Sequence, residues 1–171
     1  MIVDLSDILK NDEEIISLDN SIDLSSLEFM GEDFIFTKPL QMVGTIRNNT
    51  KNLELEAEVK GEMQVRCARC AKEFTTAVSY PVSEILIRED GEISPDSDVV
   101  IFSGYSVDLT EIVVNNFFMN VEGRYLCKED CKGLCHICGT DLNESECDCD
   151  SETIDPRWAA LAEIIKDTTT E

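Results

Sequence analysis

The sequence predicts an α+β fold: an antiparallel sheet with a packed helix, followed by a cysteine-rich C-terminal appendage. Three observations support this prediction, namely a long alternation of apolar and polar residues, one segment with helical spacing, and eight cysteines in four close pairs. The 171 residues, 43% of them hydrophobic, suffice for a packed core. We expect a main domain over residues 1–126, including the first cysteine pair, and a second segment over 127–171.

The sheet is predicted to contain three main antiparallel strands. Apolar residues alternate with polar ones from Leu53 to Val65, and a period of two over that length indicates a half-buried strand. A similar alternation over 73–87 predicts the returning strand of a long hairpin, whose tip carries the first cysteine pair. Residues 40–48 precede a turn-rich segment and predict the third strand. Pro81 indicates an exposed edge or a bulge, and a short strand is expected at 99–102.

A helix is predicted over residues 108–122. It opens with a capping-box-like run that begins at Asp108, and apolar residues then follow helical spacing. Phe117 and Phe118 are expected to pack against the sheet rather than to line a ligand site. The helix should end near Gly123 and lead the chain into the second cysteine pair.

A last helix is predicted to begin with Asp155 as its cap and Pro156 at its first position. It would carry Trp158, the only tryptophan, on an apolar stripe. That stripe either packs on the chain's own domain or docks a partner, so Trp158 is a candidate partner-docking residue.

The cysteines predict metal binding. Eight thiols in close pairs match two tetrahedral zinc sites, because structural zinc takes four thiolates. A disulfide framework is the alternative, but it is typical of small secreted chains, and the N-terminus has neither the basic start nor the apolar run of a signal peptide. We therefore expect a cytoplasmic protein with two structural zinc ions; a redox-active or iron–sulfur role is the third alternative. The predicted ligands are Cys67, Cys70, Cys127, Cys131, Cys135, Cys138, Cys147 and Cys149.

Spacing assigns these ligands to two sites. The C-x2-C pair at 135 and 138 lies close enough to the C-x-C pair at 147 and 149 to wrap one ion without outside help. The pairs at 67/70 and 127/131 are left to share the other ion. That ion would tie the hairpin tip to the end of the helix, and the C-terminal appendage would be zinc-bound.

The net charge of −22 disfavours contact with phosphate backbones and anionic lipid and favours a basic partner. Six of the fourteen basic residues nevertheless flank the first two cysteine pairs. These cations either compensate the charge of the thiolates or form an anion-binding or partner-binding patch. They are Arg66, Arg69, Lys72, Arg124, Lys128 and Lys132.

No catalytic constellation is present in the sequence, and we expect a protein that is not an enzyme. The only histidine, His136, lies inside a cysteine pair, and cysteines already fill both predicted sites. Catalytic zinc needs an open coordination position, which eight thiolates on two ions do not leave. No segment reaches the length of a membrane span, so we expect no membrane partner. With no catalytic constellation, we also expect no small-molecule substrate.

Four segments together resemble the YceD family: the knuckle in residues 65–74, the run at 108–111, the cysteine-rich segment 131–143 and the ending at 155–161. The resemblance extends from about residue 34 to about residue 166. It implies a bacterial cytoplasmic protein needed for accumulation of large-subunit ribosomal RNA, usually encoded beside a zinc-binding ribosomal protein. Some family members lack the distal knuckle and C-x-C, which implies the same grouping of cysteine pairs. His136 stands where the family usually has proline, and this departure leaves the ligand spacing intact.

Three functions fit these observations. The first is a ribosome-biogenesis factor that supports ribosomal RNA accumulation by binding RNA, a basic ribosomal protein or a pre-ribosomal particle. The second is an acidic chaperone or zinc-delivery protein for a basic ribosomal protein, which the net charge favours. The third is a redox-switched chaperone, because closely spaced cysteines can release zinc on oxidation.

Overall fold

The structure, a computed structural model, describes residues 1–11, 14–29, 31–49, 52–91 and 98–149. In these ranges the chain forms nine strands and one helix. The strands are β1 (Ile2–Asp4), β2 (Ile15–Ile22), β3 (Ser26–Phe29), β4 (Glu32–Phe36), β5 (Leu40–Asn48), β6 (Leu53–Arg66), β7 (Glu73–Arg88), β8 (Val100–Phe102) and β9 (Ser106–Asp108), and the helix is α1 (Leu109–Asn120).

Strand β6 organises a seven-stranded sheet. One edge of β6 pairs with β7 over its whole length, while the other edge pairs first with β5 and then with β4. Strand β2 extends the sheet beyond β5, β3 extends it beyond β4, and β8 runs parallel to the end of β7. Strands β1 and β9 form a separate antiparallel pair. All pairings in the larger sheet except β7–β8 are antiparallel, as the α+β prediction requires.

The three predicted main strands are confirmed. Apolar side chains of the alternating segments point to one face, where residues such as Leu55, Val59 and Met63 are fully buried. The sheet is larger than expected, because β2, β3 and β4 lie in the first 36 residues, where the sequence shows no long alternation. Pro81 lies where β7 pairs with β6 but with no other strand of the described chain, which agrees with an exposed edge.

Helix α1 confirms the predicted helix and packs against the sheet. The carboxylate of Asp108 accepts a hydrogen bond from the Thr110 N–H at 2.9 Å and caps the first turn. The α-amino group of Met1 also donates to Asp108 at 2.8 Å, and these contacts lower the pKa of Asp108 to about 2. The helix is shorter than expected and ends at Asn120, because the backbone of Val121 is extended, with φ −64° and ψ 133°.

Phe117 is the centre of the contact between α1 and the sheet. Its side chain is fully buried and meets the rings of Phe34, Phe36 and Tyr80 at centroid distances of 5.4, 5.4 and 6.0 Å. Phe118 is partly buried and stacks on a phenylalanine of β3. Both phenylalanines therefore pack in the core, as expected. The Tyr80 hydroxyl donates to a backbone carbonyl of α1 at 3.1 Å, and burial raises the pKa of Tyr80.

The chain packs as two compact units. The first contains Met1–Cys67 and Lys72–Cys127, and the second contains Ala68–Ala71 together with the chain from Lys128 onward. The tip of the β6–β7 hairpin thus groups with the C-terminal segment. The boundary between domains at residues 126 and 127 stays a prediction. The helix expected after Asp155, with Trp158, lies outside the described residues. Among those described, no helix has the length and apolar character needed to cross a membrane.

Candidate metal centres

Eight cysteines assemble into two groups of four, and the grouping is the one that the spacing predicts. In the proximal tetrad, Cys67, Cys70, Cys127 and Cys131, the four sulfur atoms lie within 4.8 Å of one another. The distal tetrad, Cys135, Cys138, Cys147 and Cys149, meets the same limit. All eight residues are thiols rather than disulfides in the structure.

The two C-x2-C knuckles share one backbone geometry. In the proximal knuckle the N–H of Cys67 donates to the carbonyl of Lys72 at 2.9 Å, and in the distal knuckle the N–H of Cys135 donates to the carbonyl of Thr140 at 2.8 Å. The residue after the second cysteine is left-handed in both, with φ +58° at Ala71 and +75° at Gly139. This turn places the two sulfurs of each knuckle on the same side of the loop.

The tip of the proximal knuckle is fastened to the segment that supplies Cys131. The carbonyl of Arg69 accepts from the N–H of Leu134 at 3.1 Å, and the Arg69 guanidinium donates to the carbonyl of Cys131 at 2.8 Å. Gly133 permits this approach, because it has φ +77° and a Cβ there would lie 3.0 Å from the Arg69 carbonyl oxygen. No pattern in the sequence indicates this role of Arg69 or Gly133 beyond their place in cysteine-rich segments.

The distal tetrad is built by a short hairpin. Leu134 and Asp141 form an antiparallel bridge, and the N–H of Leu142 donates to the carbonyl of Gly133 at 3.0 Å. These contacts place Cys135 and Cys138 at the hairpin turn, and the C-x-C pair then closes the group. None of the described residues from β1 to α1 contributes a ligand to this tetrad.

The tetrads differ in exposure. Three proximal cysteines are buried, with exposed fractions of 2% at Cys67, 7% at Cys70 and 2% at Cys131. In the distal tetrad only Cys135 is buried, Cys138 is exposed and the C-x-C pair is half-buried. Solvent and reagents therefore reach the distal sulfurs more easily.

Hydrogen bonds shift the titration of the distal thiols in opposite directions. The Thr140 hydroxyl lies 3.1 Å from the sulfur of Cys138 and lowers the pKa of that thiol to about 6. The thiol of Cys149 donates to Cys138, which raises the pKa of Cys149 to about 12. Four crowded sulfurs cannot all ionise at neutral pH by themselves, and a divalent cation would remove this restraint.

Both tetrads fit a tetrahedral zinc ion. Zinc–thiolate bonds of about 2.3 Å place two tetrahedral sulfurs about 3.8 Å apart, within the separation found in each group. Four soft sulfur donors also match structural zinc better than calcium or magnesium. His136 is exposed and belongs to neither group.

The six cations that flank the proximal cysteines are all exposed. Several of them have partners within the chain: Arg66 meets Glu73 at 3.3 Å, Lys128 meets an aspartate at 4.0 Å, and Arg69 binds backbone carbonyls. Exposed ion pairs of this kind contribute little energy and can open for a ligand. An anion-binding or partner-binding role for Arg66, Arg69, Lys72, Arg124, Lys128 and Lys132 stays a prediction.

Asn143 is a residue of the site that sequence reasoning missed. Its side-chain amide donates to the sulfur of Cys131 at 3.4 Å and to the carboxylate of Asp141 at 2.7 Å. Its oxygen accepts from the N–H of Lys132 at 2.9 Å. Asn143 lies in the cysteine-rich segment that carries the family resemblance, but its type and position alone reveal no partner.

Comparison with known proteins supports the resemblance. A family model described as "Large ribosomal RNA subunit accumulation protein YceD" matches residues 55–165. The uncharacterized protein YlbN of Bacillus subtilis (strain 168) is 23% identical over 155 residues, which cover 90% of each chain. The uncharacterized protein Rv2926c of Mycobacterium tuberculosis (strain ATCC 25618 / H37Rv) is 30% identical over 102 residues, 58% of this chain and 49% of the relative. No solved structure gives a significant match.

Proposed function

Since the chain belongs to the YceD family of large ribosomal RNA subunit accumulation proteins, we propose that it is a non-catalytic, cytoplasmic zinc-binding factor that supports ribosome biogenesis. It would act by binding ribosomal RNA or a ribosomal protein. The observation that carries the zinc assignment is the pair of four-sulfur groups, which uses all eight cysteines. Four thiolates saturate a tetrahedral ion and leave no position for a substrate or an activated water, so the ions would be structural.

Zinc, when bound, supplies a cross-link between thiolates. The proximal ion would be held by Cys67 and Cys70 of the hairpin tip and by Cys127 and Cys131 of the segment after α1. The distal ion would hold the distal hairpin and the C-x-C pair together. The proposed role of both ions is therefore to hold irregular segments in a binding-competent shape.

The charge distribution favours a protein partner over naked RNA. Fourteen basic residues work against 36 acidic ones, and near the proximal tetrad Arg66, Arg69 and Lys128 already have partners within the chain. We expect direct RNA binding by the isolated chain to be weak at physiological salt and basic ribosomal proteins to compete well. Tight binding to naked ribosomal RNA that persists in high salt would contradict this expectation.

The acidic net charge also supports the second candidate, a chaperone or zinc-delivery protein for a basic ribosomal protein. Transfer of zinc from the loaded chain to a metal-free zinc-binding ribosomal protein would support delivery. Binding of the ribosomal protein without loss of either ion would support a chaperone or assembly factor instead.

The exposure of the distal tetrad supports the third candidate, a redox-switched chaperone. Peroxide would oxidise accessible thiolates, release zinc and expose a client-binding surface. Gain of client binding on treatment with peroxide is the result that this candidate requires, whereas a ribosome-biogenesis factor should lose partner binding under the same treatment.

The central proposal is tested in cells depleted of the chain. We expect the ratio of large-subunit to small-subunit ribosomal RNA to fall and to recover with the wild-type chain but not with Cys67→Ser. A tagged chain should then be isolated with and without ribonuclease. Partners retained after ribonuclease bind through protein, and partners lost bind through RNA. An unchanged ribosomal RNA ratio after depletion would contradict the proposal.

A further inference from the structure

The side chain of Asn143 stands between the two tetrads. It extends from the distal hairpin and touches the sulfur of Cys131, which is a ligand of the proximal group. Three hydrogen bonds fix the amide. The N–H of Lys132 donates to its oxygen at 2.9 Å, while its nitrogen donates to Asp141 at 2.7 Å and to the sulfur at 3.4 Å. The oxygen cannot exchange places with the nitrogen without losing all three.

Asp141 holds Asn143 in this position. One carboxylate oxygen of Asp141 accepts from both the backbone N–H of Asn143, at 2.9 Å, and its side-chain amide. Asp141 in turn belongs to the bridge with Leu134 that closes the distal hairpin. The orientation of the amide towards Cys131 therefore depends on the hairpin that presents the distal sulfurs.

An N–H directed at a metal-bound thiolate stabilises the charge on sulfur and fixes the direction of its lone pairs. Such outer contacts typically change metal affinity by about 10-fold to 100-fold. Cys131 is 2% exposed, so water cannot readily replace the amide as a donor.

We propose that Asn143 is a positioning residue that couples the two metal centres. It aligns the Cys131 sulfur for the proximal ion only while the distal hairpin is closed around its own ion. Loss of the distal ion therefore weakens the proximal site, although the two groups share no ligand. This inference rests on the proposed binding of two zinc ions.

The test uses the full chain loaded with zinc. A chelator removes the metal while a thiol-alkylating reagent labels each released cysteine, and mass spectrometry of peptides reports the two tetrads separately. We expect Asn143→Ala to speed labelling of Cys67 and Cys131 by about 10-fold or more relative to wild type. Asn120→Ala, which removes a side-chain amide that donates to the carbonyl of Asn116 within α1, is the matched control and should leave both rates unchanged.

Two further variants separate positioning from general loosening. Asn143→Asp keeps the size and the acceptor for Lys132 but loses the donor to sulfur, so it should match or exceed Asn143→Ala. Thr140→Val removes the hydroxyl beside Cys138 and should speed labelling of the distal tetrad more than that of the proximal one. In excess zinc, which keeps the weakened proximal site filled, amide exchange in the sheet should be unchanged in Asn143→Asp, and this result would show that the variant is folded.

Coupling itself is measured with a double-mutant cycle between Asn143→Ala and Cys147→Ser. Cys147→Ser should speed proximal labelling when Asn143 is present, and Asn143→Ala should add little in the Cys147→Ser background. Fully additive effects, or proximal rates in both Asn143 variants equal to those of the Asn120→Ala control, would overturn the inference. Failure of the wild-type chain to bind two ions would instead refute the proposed zinc binding.

Discussion

Loss of one proximal ligand should loosen the main sheet, whereas loss of one distal ligand should not. Cys67 follows β6 directly, and Cys127 follows the segment after α1. An ion bound to both joins positions sixty residues apart in the sequence. Between them lie β7, β8, β9 and α1, so the cross-link encloses much of the sheet and its helix.

The expected effect follows from chain entropy. A cross-link that closes a loop of sixty residues lowers the entropy of the unfolded chain by the equivalent of about 4 kcal/mol. The distal link between Cys138 and Cys147 closes only nine residues, for which the same relation gives about 2.5 kcal/mol. The distal contribution also acts on a hairpin that supplies no strand of the seven-stranded sheet. Cys67→Ser should therefore be the more damaging change for the sheet.

The assay compares Cys67→Ser with Cys147→Ser at equal protein concentration and in excess zinc. Thermal unfolding measures the overall loss of stability. Amide exchange of the paired residues in β5, β6 and β7 shows whether the sheet is the part that is destabilised. We expect exchange in these strands to accelerate strongly in Cys67→Ser. Excess zinc keeps the proximal site of Cys147→Ser largely filled, so only weak acceleration is expected there. Equal loss of protection in the two variants, or greater loss in Cys147→Ser, would refute the reasoning.

Three smaller predictions concern backbone and core. Gly133→Ala should destabilise the contact with the Arg69 carbonyl by more than the roughly 1–2 kcal/mol expected for a left-handed alanine. Faster amide exchange of the residue after Gly133 measures this loss. Gly104→Ala, at a glycine with φ +69° and open space around it, is the control. Ala71→Gly should raise the thermal stability of the zinc-loaded chain by up to about 1 kcal/mol, since Ala71 has φ +58°. Tyr80→Phe should cost about 1 kcal/mol in denaturant unfolding, because a buried hydrogen bond to α1 is lost; no change would show that the hydroxyl is not needed.

Long periodic patterns explain why part of the fold could be predicted. Strands β5, β6 and β7 each bury alternate residues on one face, so apolar and polar residues alternate along their sequence. Strand β2 buries only Leu18 and Ile22 completely among its eight residues, and β3 buries none completely. Such strands form because β5 and β4 offer paired edges, and that tertiary contribution leaves no pattern in the local sequence.

The metal centres could likewise be predicted in part. The grouping of eight cysteines followed from spacing, because short loops restrict which sulfurs can meet. The contacts of Arg69, Gly133 and Asn143 could not be predicted, since they join side chains to backbone atoms or sulfurs that only the folded chain brings together. Asn143 contributes a single amide, and a lone polar residue in a loop is normally solvated.

The distal tetrad is the more accessible of the two to an oxidant. The two knuckles have the same turn geometry, so local structure does not explain their difference in exposure. The proximal knuckle contacts the segment around Cys131 through Arg69 and Leu134, and these contacts cover its sulfurs. Among the described residues no comparable contact covers the distal sulfurs, and Cys138 is exposed. An oxidant would therefore meet the distal ion first, and the amide of Asn143 would transmit its loss to the buried proximal site.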